Sequence, residues 1–118
     1  MGSASALRGR TVLIVEDEYL IALDVGQQVS AAGANAVIAN TVEQALSALT
    51  RKKFAVAILD HRLGDDDCRE VILRLENLQI PYVIYSGCSD DPAWANAPVV
   101  QKPATREHLI QTVTDLLG

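Results

Sequence analysis

The segment AVAILD, residues 55–60, is a run of five apolar residues that ends in an aspartate. Three further apolar runs are also followed directly by reactive side chains: VLIV (12–15) by Glu16 and Asp17, YVIY (82–85) by Ser86, and VVQ (99–101) by Lys102. Short, uninterrupted apolar runs are typical of strands that are buried on both faces of a parallel sheet. Ligands of such sheets bind outside the carboxyl ends of the strands. The sequence therefore predicts that acids, a hydroxyl and a lysine gather at one edge of a sheet.

The segments between these runs have the spacing of amphipathic helices. Residues 20–32 place Ile21, Val25 and Val29 on one helical face, and Gly33 follows as a stop signal. Residues 36–39 supply one more apolar strand before the next helical segment. This order indicates strand-then-helix units joined by short connections.

A capping box gives the clearest helix start in the chain. Thr41 and Gln44 stand three residues apart, ahead of an apolar pattern with helical spacing in residues 42–49. Further helices are predicted from about residue 67 and over residues 105–117, whereas residues 88–97, broken by a proline, predict at most a short or degenerate fourth helix. Alternating strands and helices specify the α/β class, here a flavodoxin-like, doubly wound, five-stranded parallel sheet with strand order 2-1-3-4-5.

Composition and charge bound the possible functions. With 118 residues, 49% of them hydrophobic, the chain can bury one sizeable core. We expect a single domain over residues 11–118, preceded by a flexible tail or cloning scar over residues 1–10. The net charge of -5 disfavours direct binding of nucleic acid, which requires a basic surface. No apolar run approaches the about 20 residues that span a membrane, and no signal peptide precedes the domain, so we expect a cytoplasmic protein without membrane insertion.

The predicted strand order places Asp17 and Asp60 at the same point of the sheet, where the direction of winding reverses. Two carboxylates about 5 Å apart repel by roughly 3 kcal/mol at an effective dielectric constant of about 20. Glu16 adds a third negative charge, so the site should either hold a proton or recruit a divalent cation, and carboxylate oxygens suit magnesium. With Ser86 and Lys102 arriving from the other side of Asp60, the edge predicts a cradle for a phosphoryl group on Asp60.

Together these residues resemble the receiver domain of two-component response regulators, over residues 11–117. The resemblance rests on an ordered set of elements at strand ends: the acidic pair Glu16-Asp17, the acceptor Asp60 in ILDHRL (58–63), Ser86 before a glycine, and Lys102 before a proline. Any one element is a weak signal, but the ordered set is specific.

The resemblance implies a function and a role for each residue. Asp60 would accept a phosphoryl group from a phosphohistidine on a sensor histidine kinase or phosphotransfer protein. Magnesium would be held by Asp17, Asp60, the carbonyl of Arg62 and a water bridged to Glu16. Lys102 and Ser86 would contact the phosphoryl oxygens. The implied protein is a phospho-acceptor with self-dephosphorylation rather than an enzyme, a monomer or weak homodimer without an output domain, acting on a downstream protein that the sequence does not name.

The chain also departs from the receiver pattern. Gly64 and Cys68 stand where the family commonly has proline and glycine, and Val99 stands where it has an aromatic switch residue. Valine cannot rotate between exposed and buried positions as a tyrosine does. The usual aromatic switch is therefore not expected here.

Two other functions stay open at this point. One is a receiver-like module that binds partners without phosphorylation; loss of Asp60 or Lys102 would favour it, and both are present. The other is a small phosphatase with an aspartyl nucleophile, which would need Asp-x-Asp after the first strand. Residues 16–18 read Glu-Asp-Glu and do not supply that pair. Taken singly, each acid also has a simpler role, as a turn former or a helix cap.

Overall fold

The computed structural model describes residues 7–60, 62–63, 66–67, 69–86, 99–101 and 106–117. The elements are β1 (Thr11–Val15), α1 (Tyr19–Ala31), β2 (Asn35–Ala39), α2 (Val42–Arg51), β3 (Val56–Leu59), β4 (Arg62–Leu63), β5 (Asp66–Asp67), α3 (Arg69–Asn77), β6 (Tyr82–Ser86), β7 (Val99–Gln101) and α4 (Arg106–Leu117). The predicted α/β class is confirmed. The predicted fourth helix in residues 88–97 lies outside the described residues.

The main sheet has five strands in the order β2-β1-β3-β6-β7, and every neighbouring pair is parallel. Counted along the chain, the strands of this sheet follow 2-1-3-4-5. β1 therefore lies between β2 and β3, with Val15 opposite both Ala39 and Leu59. The residues that follow β1 and β3 consequently emerge side by side at one edge.

Alternate residues of the strands enter two separate cores, which explains why the strands are apolar throughout. Leu13 and Leu59 pack with residues of α2 and α3 on one face. Ile14 and Ile58 pack with residues of α1 and α4 on the other. A doubly wound sheet needs apolar side chains on both faces because helices cover both of them.

The predicted capping box of α2 is present in a shifted form. Thr41 Oγ1 accepts a hydrogen bond from the Gln44 N–H at 3.0 Å, as predicted. The Gln44 side chain reaches back one residue further than expected, because its Oε1 accepts from the Asn40 N–H at 2.8 Å. The box thus fixes the connection between β2 and α2 as well as the helix start.

The chain is already packed at Leu7, ahead of the boundary predicted at residue 11. Leu7 is 0% exposed and belongs to the core beneath α1 and α4. Its N–H donates to the Ala32 carbonyl oxygen at 2.7 Å. Gly33 adopts φ +100°, and a Cβ there would lie 2.9 Å from the Arg8 Cα. Residues 7–10 are therefore packed against the end of α1 and are not a flexible tail.

Two short strands after β3 form a separate antiparallel pair. β4 and β5 pair antiparallel, with Arg62 opposite Asp67, and α3 begins at Arg69, close to the start predicted near residue 67. Short antiparallel pairing satisfies backbone groups that a loop would leave to water. The sequence carried a signal for this pairing, because Gly-Asp at residues 64–65 is a dipeptide typical of connections between antiparallel strands.

Among the helices of the described part of the chain, none is long and apolar enough to cross a membrane.

Candidate metal centre

Backbone hydrogen bonds that continue the sheet past its strand ends bring the acids together. Beyond β1, the Glu16 N–H donates to the Ala39 carbonyl oxygen at 3.0 Å. Beyond β3, the Asp60 N–H donates to the Val15 carbonyl oxygen at 2.8 Å. Both residues are therefore still held in the ladder of a parallel sheet, although they lie one step outside the regular strands.

Three carboxylates meet at this edge. Glu16, Asp17 and Asp60 each offer one oxygen, and these oxygens lie within 4.8 Å of one another. Glu16 is buried at 2% exposure, Asp60 is half-buried and Asp17 is exposed. Clustered carboxylate oxygens with an open side are the donors that magnesium and calcium bind. The donor set fits a divalent cation that is partly open to solvent.

Glu16 is fixed at three points. Besides its N–H, its carbonyl oxygen accepts from Asn40 Nδ2 at 2.9 Å, and its carboxylate Oε2 accepts from the Glu18 N–H at 3.2 Å. A buried carboxylate requires such partners, because burial without them is costly. Asn40 was missed by the sequence interpretation: an asparagine just before a helix is normally a capping residue.

The start of α1 adds to the electrostatics of the cluster. Residues 16–18 are all acidic and directly precede Tyr19, the first residue of α1. The N-terminus of a helix carries partial positive charge and favours nearby anions. This field offsets part of the repulsion among the carboxylates, and a divalent cation would offset more of it.

The remaining predicted site residues are only partly described. Ser86 closes β6 opposite Gln101, the last residue of β7, so its backbone lies at the same edge of the sheet as Asp60. Arg62 opens β4, two residues after Asp60. Lys102 directly follows Gln101 in the sequence and lies outside the described residues. The structure therefore brings Glu16, Asp17 and Asp60 together, and the roles of Ser86, Arg62 and Lys102 stay predictions.

The fold is shared with solved structures of known class. SdrG from Sphingomonas melonis Fr1 is 33% identical, with a TM-score of 0.80 over 97% of this chain and 99% of that chain. The N-terminal domain of a response regulator/sensory box/GGDEF protein from Carboxydothermus hydrogenoformans is 25% identical, with a TM-score of 0.82 over 92% and 94%. The response regulator TrrA from Thermotoga maritima, solved with Mg²⁺-BeF, is 21% identical, with a TM-score of 0.81 over 91% and 98%. No protein-family model and no curated protein sequence matches the chain.

A doubly wound parallel sheet with three acids at the carboxyl ends of its first and third strands defines an α/β domain whose candidate ligand site lies at the switch point of the sheet. The structural matches identify the family of this domain. The chain belongs to the receiver domains of response regulators.

Proposed function

We propose that this receiver accepts a phosphoryl group on Asp60 from the phosphohistidine of a sensor histidine kinase or phosphotransfer protein, in a cytoplasmic, magnesium-dependent phosphorelay. The observation that carries the proposal is the convergence of Glu16, Asp17 and Asp60 at one edge. Asp60 is the member that follows the central strand β3, where its N–H bonds to the Val15 carbonyl oxygen, and it is half-buried, so part of the residue is accessible to solvent.

Each residue has a defined part in the transfer. An Asp60 carboxylate oxygen attacks the phosphorus in line, and the bond to the histidine nitrogen breaks with its electron pair returning to the imidazole. Asp17, Asp60, the Arg62 carbonyl and a water bridged to Glu16 would hold magnesium, which supplies charge neutralisation at the phosphoryl oxygens. Lys102 would pair with those oxygens, and Ser86 would donate a hydrogen bond to one of them.

The proposal makes the domain a phospho-acceptor rather than a free-standing enzyme. Acyl phosphates hydrolyse, so the modified state ends by self-dephosphorylation. TrrA, which shares the fold, was solved with magnesium and the phosphoryl analogue beryllofluoride. That complex supports magnesium as the cation for the present cluster.

Intact mass spectrometry after incubation with acetyl phosphate and magnesium tests the proposal. Wild-type protein should gain the mass of one phosphoryl group, and the gain should disappear in Asp60→Asn or when a chelator removes magnesium. Asp115→Asn is the matched control, because Asp115 is an exposed acid on α4 that bonds to Gln111 and lies outside the cluster. It should be modified like the wild type.

Two results would contradict the proposal. A phosphoryl adduct that persists in Asp60→Asn would move the acceptor to another residue. Wild-type protein that stays unmodified at saturating acetyl phosphate and magnesium would favour the alternative, a receiver fold that binds its partners without phosphorylation.

A further inference from the structure

The side-chain amide of Asn40 extends the β1–β2 ladder by one hydrogen bond. At the start of this ladder the Asn35 N–H donates to the Arg10 carbonyl oxygen, so each donor on β2 lies 25 residues beyond its acceptor. The same spacing would make the Thr41 N–H the donor for the Glu16 carbonyl oxygen. At Thr41, however, the chain begins α2, and Asn40 Nδ2 donates to that carbonyl at 2.9 Å instead.

Asn40 is not occupied with capping its own helix. Asparagine before a helix usually accepts from the first free backbone N–H groups. Here Thr41 Oγ1 accepts from the Gln44 N–H, so capping falls to Thr41. The Asn40 side chain instead reaches across to the connection between β1 and α1, 24 residues away in sequence.

The Asn40 backbone is itself held in place. Its N–H donates to Gln44 Oε1 at 2.8 Å, so the first turn of α2 fixes the residue whose side chain fixes Glu16. Glu16 in turn supplies one carboxylate to the cluster and precedes Asp17, which supplies another. Two hydrogen bonds therefore join the start of α2 to the Glu16 backbone, and Asp17 is the next residue of the chain.

We infer that Asn40 is a positioning residue for the cation site, and that it sets the affinity for magnesium by fixing Glu16 and, through it, Asp17. The inference rests on the proposed function of the cluster. Outer-shell partners of metal ligands commonly change metal affinity about 10- to 100-fold when they are removed. Asn40 does not contact the phosphoryl group and does not act in the transfer itself.

Magnesium affinity, measured by isothermal titration calorimetry with magnesium alone, tests the inference. Asn40→Ala should weaken binding about tenfold relative to wild type. Gln44→Ala should weaken it less, because the Asn40 amide remains but its backbone loses one support. Val29→Ala is the control for general destabilisation: Val29 is fully buried near the far end of α1, so the change should lower the urea midpoint and leave magnesium affinity unchanged.

Phosphorylation kinetics separate positioning from simple loss of structure. Asn40→Ala should need more magnesium to reach half of its maximal rate with acetyl phosphate. At saturating magnesium its rate should return to near the wild-type value, because Asp60 is held by its own bond to Val15.

The outcomes distinguish this inference from the function on which it rests. Wild-type protein that binds no magnesium would overturn both. Wild-type binding with equal affinity in Asn40→Ala would overturn the inference alone, and so would equal losses in Asn40→Ala and Val29→Ala. If Asn40→Ala does not fold, Gln44→Ala decides: an affinity equal to that of Val29→Ala overturns the inference.

Discussion

The first turns of α1 and α2 are built in different ways, although both follow a strand of the same sheet. α2 starts with a side-chain cap, in which Thr41 Oγ1 accepts from the Gln44 N–H. α1 is preceded by Glu18, which makes no side-chain capping bond, and the two residues before Glu18 are also acids. At the start of α2 Thr41 caps the helix, whereas the acids at the start of α1 form the carboxylate cluster.

This difference shows that acidic residues ahead of a helix can have two roles. A polar or acidic residue ahead of an apolar helix usually satisfies free backbone N–H groups. At α1 the carboxylate of Glu16 accepts from the Glu18 N–H, just ahead of the helix, while an oxygen of Glu16 also lies in the cluster with Asp60. Because β3 lies beside β1, the residues that lead into α1 also form part of the carboxylate cluster.

The largest expected effect lies at the far end of α1, where the Leu7 side chain is fully buried. Leu7→Ala should lower the free energy of unfolding by about 3 kcal/mol, because it leaves a cavity in the core. Urea denaturation measures the change. Leu20→Ala, in the first turn of α1 where Leu20 is 78% exposed, should change stability by less than about 0.5 kcal/mol. Equal losses of unfolding free energy in Leu7→Ala and Leu20→Ala would mean that the Leu7 side chain is not packed in the core.

Removing a charge at the start of α1 should have the next largest effect. Asp17→Asn should weaken magnesium binding by more than about tenfold, since the loss of a direct ligand should exceed that of an outer-shell partner. Without magnesium the variant should be at least as stable as wild type, because the substitution relieves like-charge repulsion. Calorimetric titration and urea denaturation measure the two quantities.

Asp24→Asn is the matched control for that substitution. Asp24 is also an exposed acid of α1, but its carboxylate accepts from the Gln28 amide and lies outside the cluster. An equal loss of magnesium affinity in both variants would show that net charge, rather than ligand geometry, controls binding.

Removal of the capping hydroxyl at the start of α2 should change the stability of the protein and not its magnesium affinity. Thr41→Ala should lower the free energy of unfolding by about 1 kcal/mol, because it removes the helix cap. Its magnesium affinity should stay at the wild-type value. Ser47→Ala, an exposed hydroxyl within α2, serves as control and should not destabilise the protein. A loss of magnesium affinity as large as that of Asn40→Ala would remove the contrast between the two helix starts.

The smallest expected effect is a gain at α1. Glu18→Asp keeps the charge but supplies a shorter carboxylate that can accept from the first free N–H groups of α1, so stability should rise by about 0.5 kcal/mol. Glu43→Asp in α2 is the control, because Thr41 already caps that helix and no gain is expected. Thermal or urea denaturation resolves the difference. A lower stability of Glu18→Asp would mean that the first backbone N–H groups of α1 gain nothing from a shorter carboxylate at position 18.

The sequence predicted the parallel sheet and the meeting of the acids because both depend on strong, repeated signals. Runs such as residues 12–15 and 55–59 are apolar at every position, which only a sheet covered on both faces explains. The carboxyl ends of adjacent parallel strands then determine where Asp17 and Asp60 must lie.

What the sequence did not reveal depends on tertiary contacts of single residues. Leu7 is a single large apolar residue between Ala6 and Arg8, so it is not part of a periodic pattern, yet it packs in the core beside the end of α1. Asn40 has the local signature of a helix cap, and only the spacing of the β1–β2 ladder shows that it substitutes for a missing backbone donor. Both depend on where distant segments pack, which residue type alone does not encode.

The most direct test of the account is to locate the phosphoryl group on the wild-type protein. Borohydride reduction of the protein after treatment with acetyl phosphate and magnesium converts an aspartyl phosphate into homoserine, and peptide mass spectrometry then identifies the position. The account predicts homoserine at position 60 only, and only when magnesium is present. Reduction at position 17 or at another acid, or modification at position 60 that is independent of magnesium, would contradict it.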